Sequence, residues 1–309
     1  MTVVTRRSRA VLPFAVIAAL AASLPLLALA LRSHPGQPSS ATVPAPKATA
    51  GVRLPPRGGL VLARESGRLG VALSARPALG RRLALTVTLL GPDGSGASGR
   101  RVSVQGGGRR VEATPCRAGC YEASLPSAAR RVVVLVAGRP VPFELPERTL
   151  PAAALVHRMD SAIRRARSLV IDERLASSPT HAIQARFAVA APNRLTYRIA
   201  GGAQAVVIGG RRWDRASTRE QWVRSSQTPL RLPAPTWTAV RDARLVAADR
   251  RAFTVTFLDP AIPAWFTVRA DRRTFRPAEV RMVAAAHFMR DRYSRYDVPI
   301  QIRPPSRAG

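Results

Sequence analysis

The chain has 309 residues, with 49 Lys plus Arg against 18 Asp plus Glu and a formal net charge of +31 at pH 7. Such a charge invites a nucleic-acid reading, but Lys47 is the single lysine and the arginines stand alone or in pairs such as Arg100-Arg101 and Arg272-Arg273. No aromatic residues interleave with them in the manner of a single-strand-binding surface, so no nucleic-acid partner is expected. With four His and no phosphate loop, nucleophile elbow or zinc-protease helix in the sequence, general acid/base chemistry is thinly supplied, and neither an enzyme nor a cofactor is expected.

Ala10 to Leu31 is a run of 22 uncharged, mostly apolar residues, preceded by Arg6, Arg7 and Arg9 and followed by Arg32. A span of roughly 20 apolar residues matches the bilayer core, and basic residues before it hold the N-terminus in the cytoplasm. This predicts a single-pass membrane anchor over residues 1–32, with everything after it outside the cytoplasm. The competing reading is a signal peptide, cleaved near Ala30 at the small-x-small sequence Ala28-Leu29-Ala30, with the chain then secreted. For an exported protein, scattered arginines favour a position near anionic headgroups, at about 1 kcal/mol for each basic group close to the surface. Residues 33–58 are Pro, Ala, Ser, Thr and Gly with little apolar periodicity, and read as a disordered tether.

Residues 59–147 carry short β-type runs separated by turn signals such as Gly91-Pro-Asp-Gly94 and Gly106-Gly-Gly108, and predict an immunoglobulin-like β-sandwich. Cys116 and Cys120 are the two cysteines, and in an oxidising compartment they predict a disulfide stapling a turn; a metal or redox pair is the alternative. Over residues 148–305 the period changes. Leu155, Met159, Ile163 and Ala166 share a helical face within Glu147–Arg167, and strand-like segments follow to the C-terminus, one of them Glu279 to Phe288. The fold class predicted is therefore mainly β: a transmembrane helix, a sandwich, then one helix with a curved antiparallel sheet forming a half-barrel.

Arg194-Leu-Thr-Tyr197, Val206-Val-Ile-Gly-Gly-Arg-Arg-Trp-Asp-Arg215, Gln221-Trp222, Leu258-Asp-Pro-Ala-Ile-Pro-Ala-Trp-Phe266, Asp271-Arg-Arg-Thr274 and Ala286-His-Phe-Met289 follow in an order that resembles the extracytoplasmic C-terminal region of actinobacterial copper transport proteins of the CopC/CopD type. The second half is also similar in layout to lipoprotein carriers of the LolA/LppX kind, in which a half-barrel encloses an apolar cavity. The first resemblance implies a membrane copper transporter as partner; the second implies a lipid ligand. The chain departs from the transporters in having one membrane run and no His-rich N-terminus.

Two candidate sites follow. An apolar cavity would be lined by Trp213, Trp222, Trp237, Trp265, Phe266 and Met282, because aromatic and aliphatic walls suit acyl chains. A copper site would use the soft donors Met282, His287 and Met289. Read as one flat strand, however, this stretch puts Met282 on the opposite face from His287 and Met289. The reading favoured is a membrane-anchored extracytoplasmic protein that binds a lipid or other apolar ligand; the alternatives are an accessory of copper uptake or tolerance and a structural envelope module.

Overall fold

A computed structural model of the protein describes residues 52–306. The expected anchor and most of the tether lie outside the described residues. Among the described residues no helix is long and apolar enough to cross a membrane.

The first unit comprises β1 (Leu60–Ser66), β2 (Leu69–Ala78), β3 (Arg82–Leu90), β4 (Val102–Gly106), β5 (Arg109–Glu112), β6 (Thr114–Arg117), β7 (Cys120–Pro126), β8 (Arg131–Val136) and β9 (Arg139–Glu144). They form two antiparallel sheets, β1-β2-β3-β7-β6 and β5-β4-β8-β9. Period-two alternation puts Leu85, Val87 and Leu89 of β3 and Val132, Val134 and Val136 of β8 inward, where they share one core with Leu73, Val104 and Phe143. The sheets therefore pack face to face as a sandwich. As expected, Cys116 and Cys120 are joined in a disulfide, across the turn between β6 and β7. That turn needs Gly119: its φ is +67°, and a Cβ would sit 2.5 Å from the Leu89 carbonyl oxygen.

The second unit comprises β10 (Leu150–Pro151), α1 (Ala153–Arg164), β11 (Ser168–Ser178), β12 (His181–Ala190), β13 (Arg194–Ile199), β14 (Gln204–Ile208), β15 (Arg211–Arg215), β16 (Val223–Ser226), β17 (Arg241–Ala248), β18 (Ala252–Asp259), β19 (Ala264–Asp271), β20 (Pro277–Ala284) and β21 (His287–Ser294). One antiparallel sheet of 12 strands runs β10-β17-β18-β19-β20-β21-β11-β12-β13-β14-β15-β16. Its inner residues, from Val207 on β14 round to Val255 on β18, fall in one core with Val156, Met159 and Ile163 of α1, so the sheet curls about the helix.

The helix is shorter than its periodicity suggests. Leu150 and Pro151 pair instead with Leu245 and Arg244, which keeps the chain extended up to Ala152. Its buried face runs through Val156, Met159, Ala162 and Ile163, leaving Leu155 only partly covered. The single strand expected over Glu279–Phe288 is two strands with a turn at Ala285 and Ala286. Ala286 adopts φ +53°, a conformation usually signalled by Gly or Asn, so sequence punctuation gives no warning of the turn.

The two units touch over the outer face of the long sheet. Leu258 and Trp265 form a cluster with Val61, Ala72 and Leu90 of the sandwich. A Cβ at Gly70 would stand 3.2 Å from Val283 Cγ1, which shows how closely β2 approaches β20. Val52 and Leu54 pack on the same cluster, and the Pro55 carbonyl accepts from Arg241 Nη2 at 2.8 Å, so ordered contacts begin before the tether's predicted end at residue 58.

Candidate functional site

The inner face of the long sheet holds three of the six residues assigned to an apolar cavity. Trp237, Phe266 and Met282 belong to one core. Trp237 meets Phe257 and Phe266 edge-on, at ring-centroid distances of 5.5 and 6.0 Å, and Phe257 stacks on Phe266 at 5.1 Å. These rings fill the concavity. Trp237 comes from the irregular segment between β16 and β17, whose Leu230 and Leu232 also enter the core. The buried Asp259 carboxylate fixes the end of that segment: Oδ2 accepts from the Thr238 amide at 2.7 Å, the Thr238 hydroxyl at 3.0 Å and the Ala239 amide at 3.0 Å. The helix and this loop therefore pack against the concave face.

The other three tryptophans lie elsewhere, for reasons of parity and register. Trp265 neighbours Phe266 on β19, and adjacent strand residues face opposite ways, so Trp265 points outward into the contact with the sandwich. Trp265 therefore does not share the inner core with Phe266. Trp213 packs with Val206 and Ile302 in a separate cluster beneath the C-terminal segment, and Trp222 sits at its edge with Arg215 stacked 4.5 Å above the ring. Neither shares the inner core with Trp237, Phe266 and Met282.

The metal candidates change in the opposite sense. Because the chain turns at Ala286, Met282 and Met289 are direct cross-strand partners and share the inner face that flat-strand parity denied them. Both are buried in the core, while His287 lies at the hairpin end with Nδ1 2.7 Å from the Ala285 carbonyl oxygen. Cys116 and Cys120 lie close to Glu122, but their sulfurs are spent in the disulfide and offer no thiolate.

A pair of carboxyl groups escaped the sequence reading. Glu173 on β11 and Asp291 on β21 are directly opposed, both on the inner face and both almost fully buried. Burial pushes Glu173 up to about 7; it also raises Asp291 well above the usual carboxylate range, with the facing Glu173 adding to the shift. Beside them, burial and then the Asp291 charge raise the Tyr293 hydroxyl. Asp291 Oδ1, Tyr293 Oη and Thr236 Oγ1 are buried without a hydrogen-bond partner. The signal was present: Glu173 has the parity of the inward Leu169, Ile171 and Leu175, and Asp291 that of Met289 and Tyr293.

An open groove lies on the other side of the sheet, between it and the sandwich. This groove has a volume of about 700 Å³; its walls come from β1 and β9, and its floor from β11 and β18 to β21. The register lays the outer face out in rows. One row is apolar: Leu258, Trp265, Val283, Phe288 and Ala176. Next to it run Thr256, Thr267, Arg281, Arg290 and Arg174, and beyond that Arg269, Glu279, Arg292, Asp172 and Arg186, in which the charges alternate. The sandwich covers the start of the apolar row, leaving Phe288 and Val283 in the groove beside three consecutive arginines.

Among known proteins, one solved structure similar to this chain is that of a LolA superfamily protein from Nitrosomonas europaea, at 12% identity and a TM-score of 0.26, over 49% of this chain and 95% of that one. No family model matches the chain, and no curated protein matches it.

Proposed function

We propose that the protein is a non-enzymatic, membrane-anchored extracytoplasmic binding protein: an immunoglobulin-like sandwich joined to a carrier-like curved-sheet unit, holding an amphiphilic ligand of the cell envelope in the groove between them. The observation that carries this reading is the adjacency of an apolar row that includes Val283 and Phe288 and a row of arginines on the floor of one groove. Ligand sites combine apolar walls with a few convergent polar groups, and a volume of several hundred Å³ suits a small amphiphile or part of a larger one. The site is thereby moved from the concave face, which α1 and the Trp237 loop fill, to the outer face of the same sheet. Nothing in the geometry favours the copper accessory, since Met282 and Met289 are committed to the core.

Native mass spectrometry of the exported protein, purified without added ligand, tests the reading. Co-purifying masses in the lipid range that disappear when Phe288 is replaced by Ser support it. An apo mass that gains copper on titration and no lipid would overturn it in favour of the metal accessory.

A further inference from the structure

The groove floor sets three arginines side by side. Arg281, Arg290 and Arg174 are successive cross-strand partners on β20, β21 and β11. In the neighbouring row the same strands contribute Glu279, Arg292 and Asp172, so that opposite charges meet, and Asp172 pairs with Arg186 at 3.0 Å. Like charges directly opposed on one face are destabilising unless something neutralises them.

The protein itself neutralises the row only in part. The Glu279 carboxylate, held below its usual range by Arg281 and Arg290 against the opposing effect of burial, accepts from Arg281 Nε at 2.5 Å and Arg290 Nη2 at 3.0 Å. One carboxylate therefore serves two guanidiniums. Arg174 has no ion pair among the described residues, and Arg64 adds a fourth cation from the sandwich wall. Two carboxylates also line the groove, Glu65 and Glu144, of which Glu144 lies 3.5 Å from Arg131. The lining keeps a net charge of +2, four arginines less two glutamates, before Glu279 is counted.

We infer that Arg174, Arg290 and Arg281 form a binding site for a phosphate group at the floor of this groove. The inference rests on the amphiphile reading for the groove but not on the source of the phosphate, which is a lipid headgroup or a free anion. Planar guanidiniums present paired N–H donors that match phosphate oxygens, and spacing across adjacent strands lets neighbouring arginines reach one group. Val283 and Phe288, one row away, stand where the first carbons of an attached chain would lie. An anion bound here would also relieve the repulsion along the row.

The test is calorimetric titration of the full-length protein in non-ionic amphipol, at physiological salt, with hexyl phosphate, inorganic phosphate and hexyl glucoside. Hexyl phosphate is expected to bind saturably. Arg174→Gln and Arg290→Gln should each weaken it about tenfold or more, the loss of one charge-assisted contact. Arg186→Gln, an exposed arginine paired with Asp172, should leave affinity unchanged, which separates the site from the general positive charge. Without ligand, Arg174→Gln should not lower the melting temperature, so that lost binding is not lost folding. Equal weakening by all three variants, or none by Arg174→Gln and Arg290→Gln, overturns the inference. Inorganic phosphate binding as tightly as hexyl phosphate upholds the arginine site and removes the amphiphile reading. Hexyl glucoside binding alike to every variant, with no preference for hexyl phosphate, does the reverse.

Discussion

Glu173 and Asp291 face each other inside the curved sheet without a basic partner, and their electrostatics set a pH dependence opposite to that of most surface carboxylates. A carboxyl group whose folded-state value is raised keeps a proton that the unfolded chain has released. Its stabilising contribution is therefore complete below about 4.5, the ordinary glutamate value, and is lost as pH rises through about 7. Asp291 is raised and acts in the same sense. Asp271 and Asp297 act oppositely: backbone amides of Thr274 and Arg167 respectively hold them low, so they lose stability only toward acid. The unfolding free energy from denaturant titration is expected to fall between pH 5 and pH 8, by on the order of 1–3 kcal/mol for the pair. Glu173→Gln should flatten that slope; a slope that persists unchanged in Glu173→Gln would remove the pair as its cause.

The loop between β16 and β17 acts as a structural element although it has no regular structure. Leu230, Leu232 and Trp237 fill the concave face, and Asp259 holds the segment down through the Thr238 and Ala239 amides. Losing a buried carboxylate that satisfies three amides and a hydroxyl leaves those donors unpaired, at a cost of roughly 1–3 kcal/mol for each group left without a partner. Asp259→Ala should therefore release the loop before the sheet melts. The expected readout is increased binding of an apolar dye and faster hydrogen exchange confined to the loop and α1, with the sandwich unaffected. Exchange that accelerates everywhere at once would show that the loop is not a separable element.

Across the whole molecule, the contact between sandwich and curved sheet is built around one large side chain. Trp265 is buried among Val61, Ala72, Leu90 and Leu258, and replacing a buried Trp by Ala costs about 3–5 kcal/mol. Because the two units have separate cores, that loss should fall on their association. Trp265→Ala is expected to split thermal unfolding into two transitions by calorimetry and to abolish the groove. A single transition displaced to lower temperature would mean that the two cores are coupled beyond this contact.

Much of this was legible from alternation alone. Period two marked the sandwich strands, and the close spacing of Cys116 and Cys120, with the export expected from the N-terminal run, pointed to their bond. Alternation also carried the inward parity of Glu173. Periodicity reports which face of its own strand a residue occupies, but not which strand lies beside it. Pairing of β11 with β21 brings Glu173 to Asp291 and Arg174 to Arg290, and those residues are far apart in the chain. The turn at Ala286 was invisible because alanine carries no turn preference, and missing it put Met282 on the wrong face relative to Met289. Trp265 looked like a cavity residue because an apolar outer face resembles an inner one until a second unit covers it. Composition and local pattern determined the elements and their buried faces; register, loop insertion and the docking of one unit on the other placed the groove, because those are set by long-range contacts that no local pattern encodes.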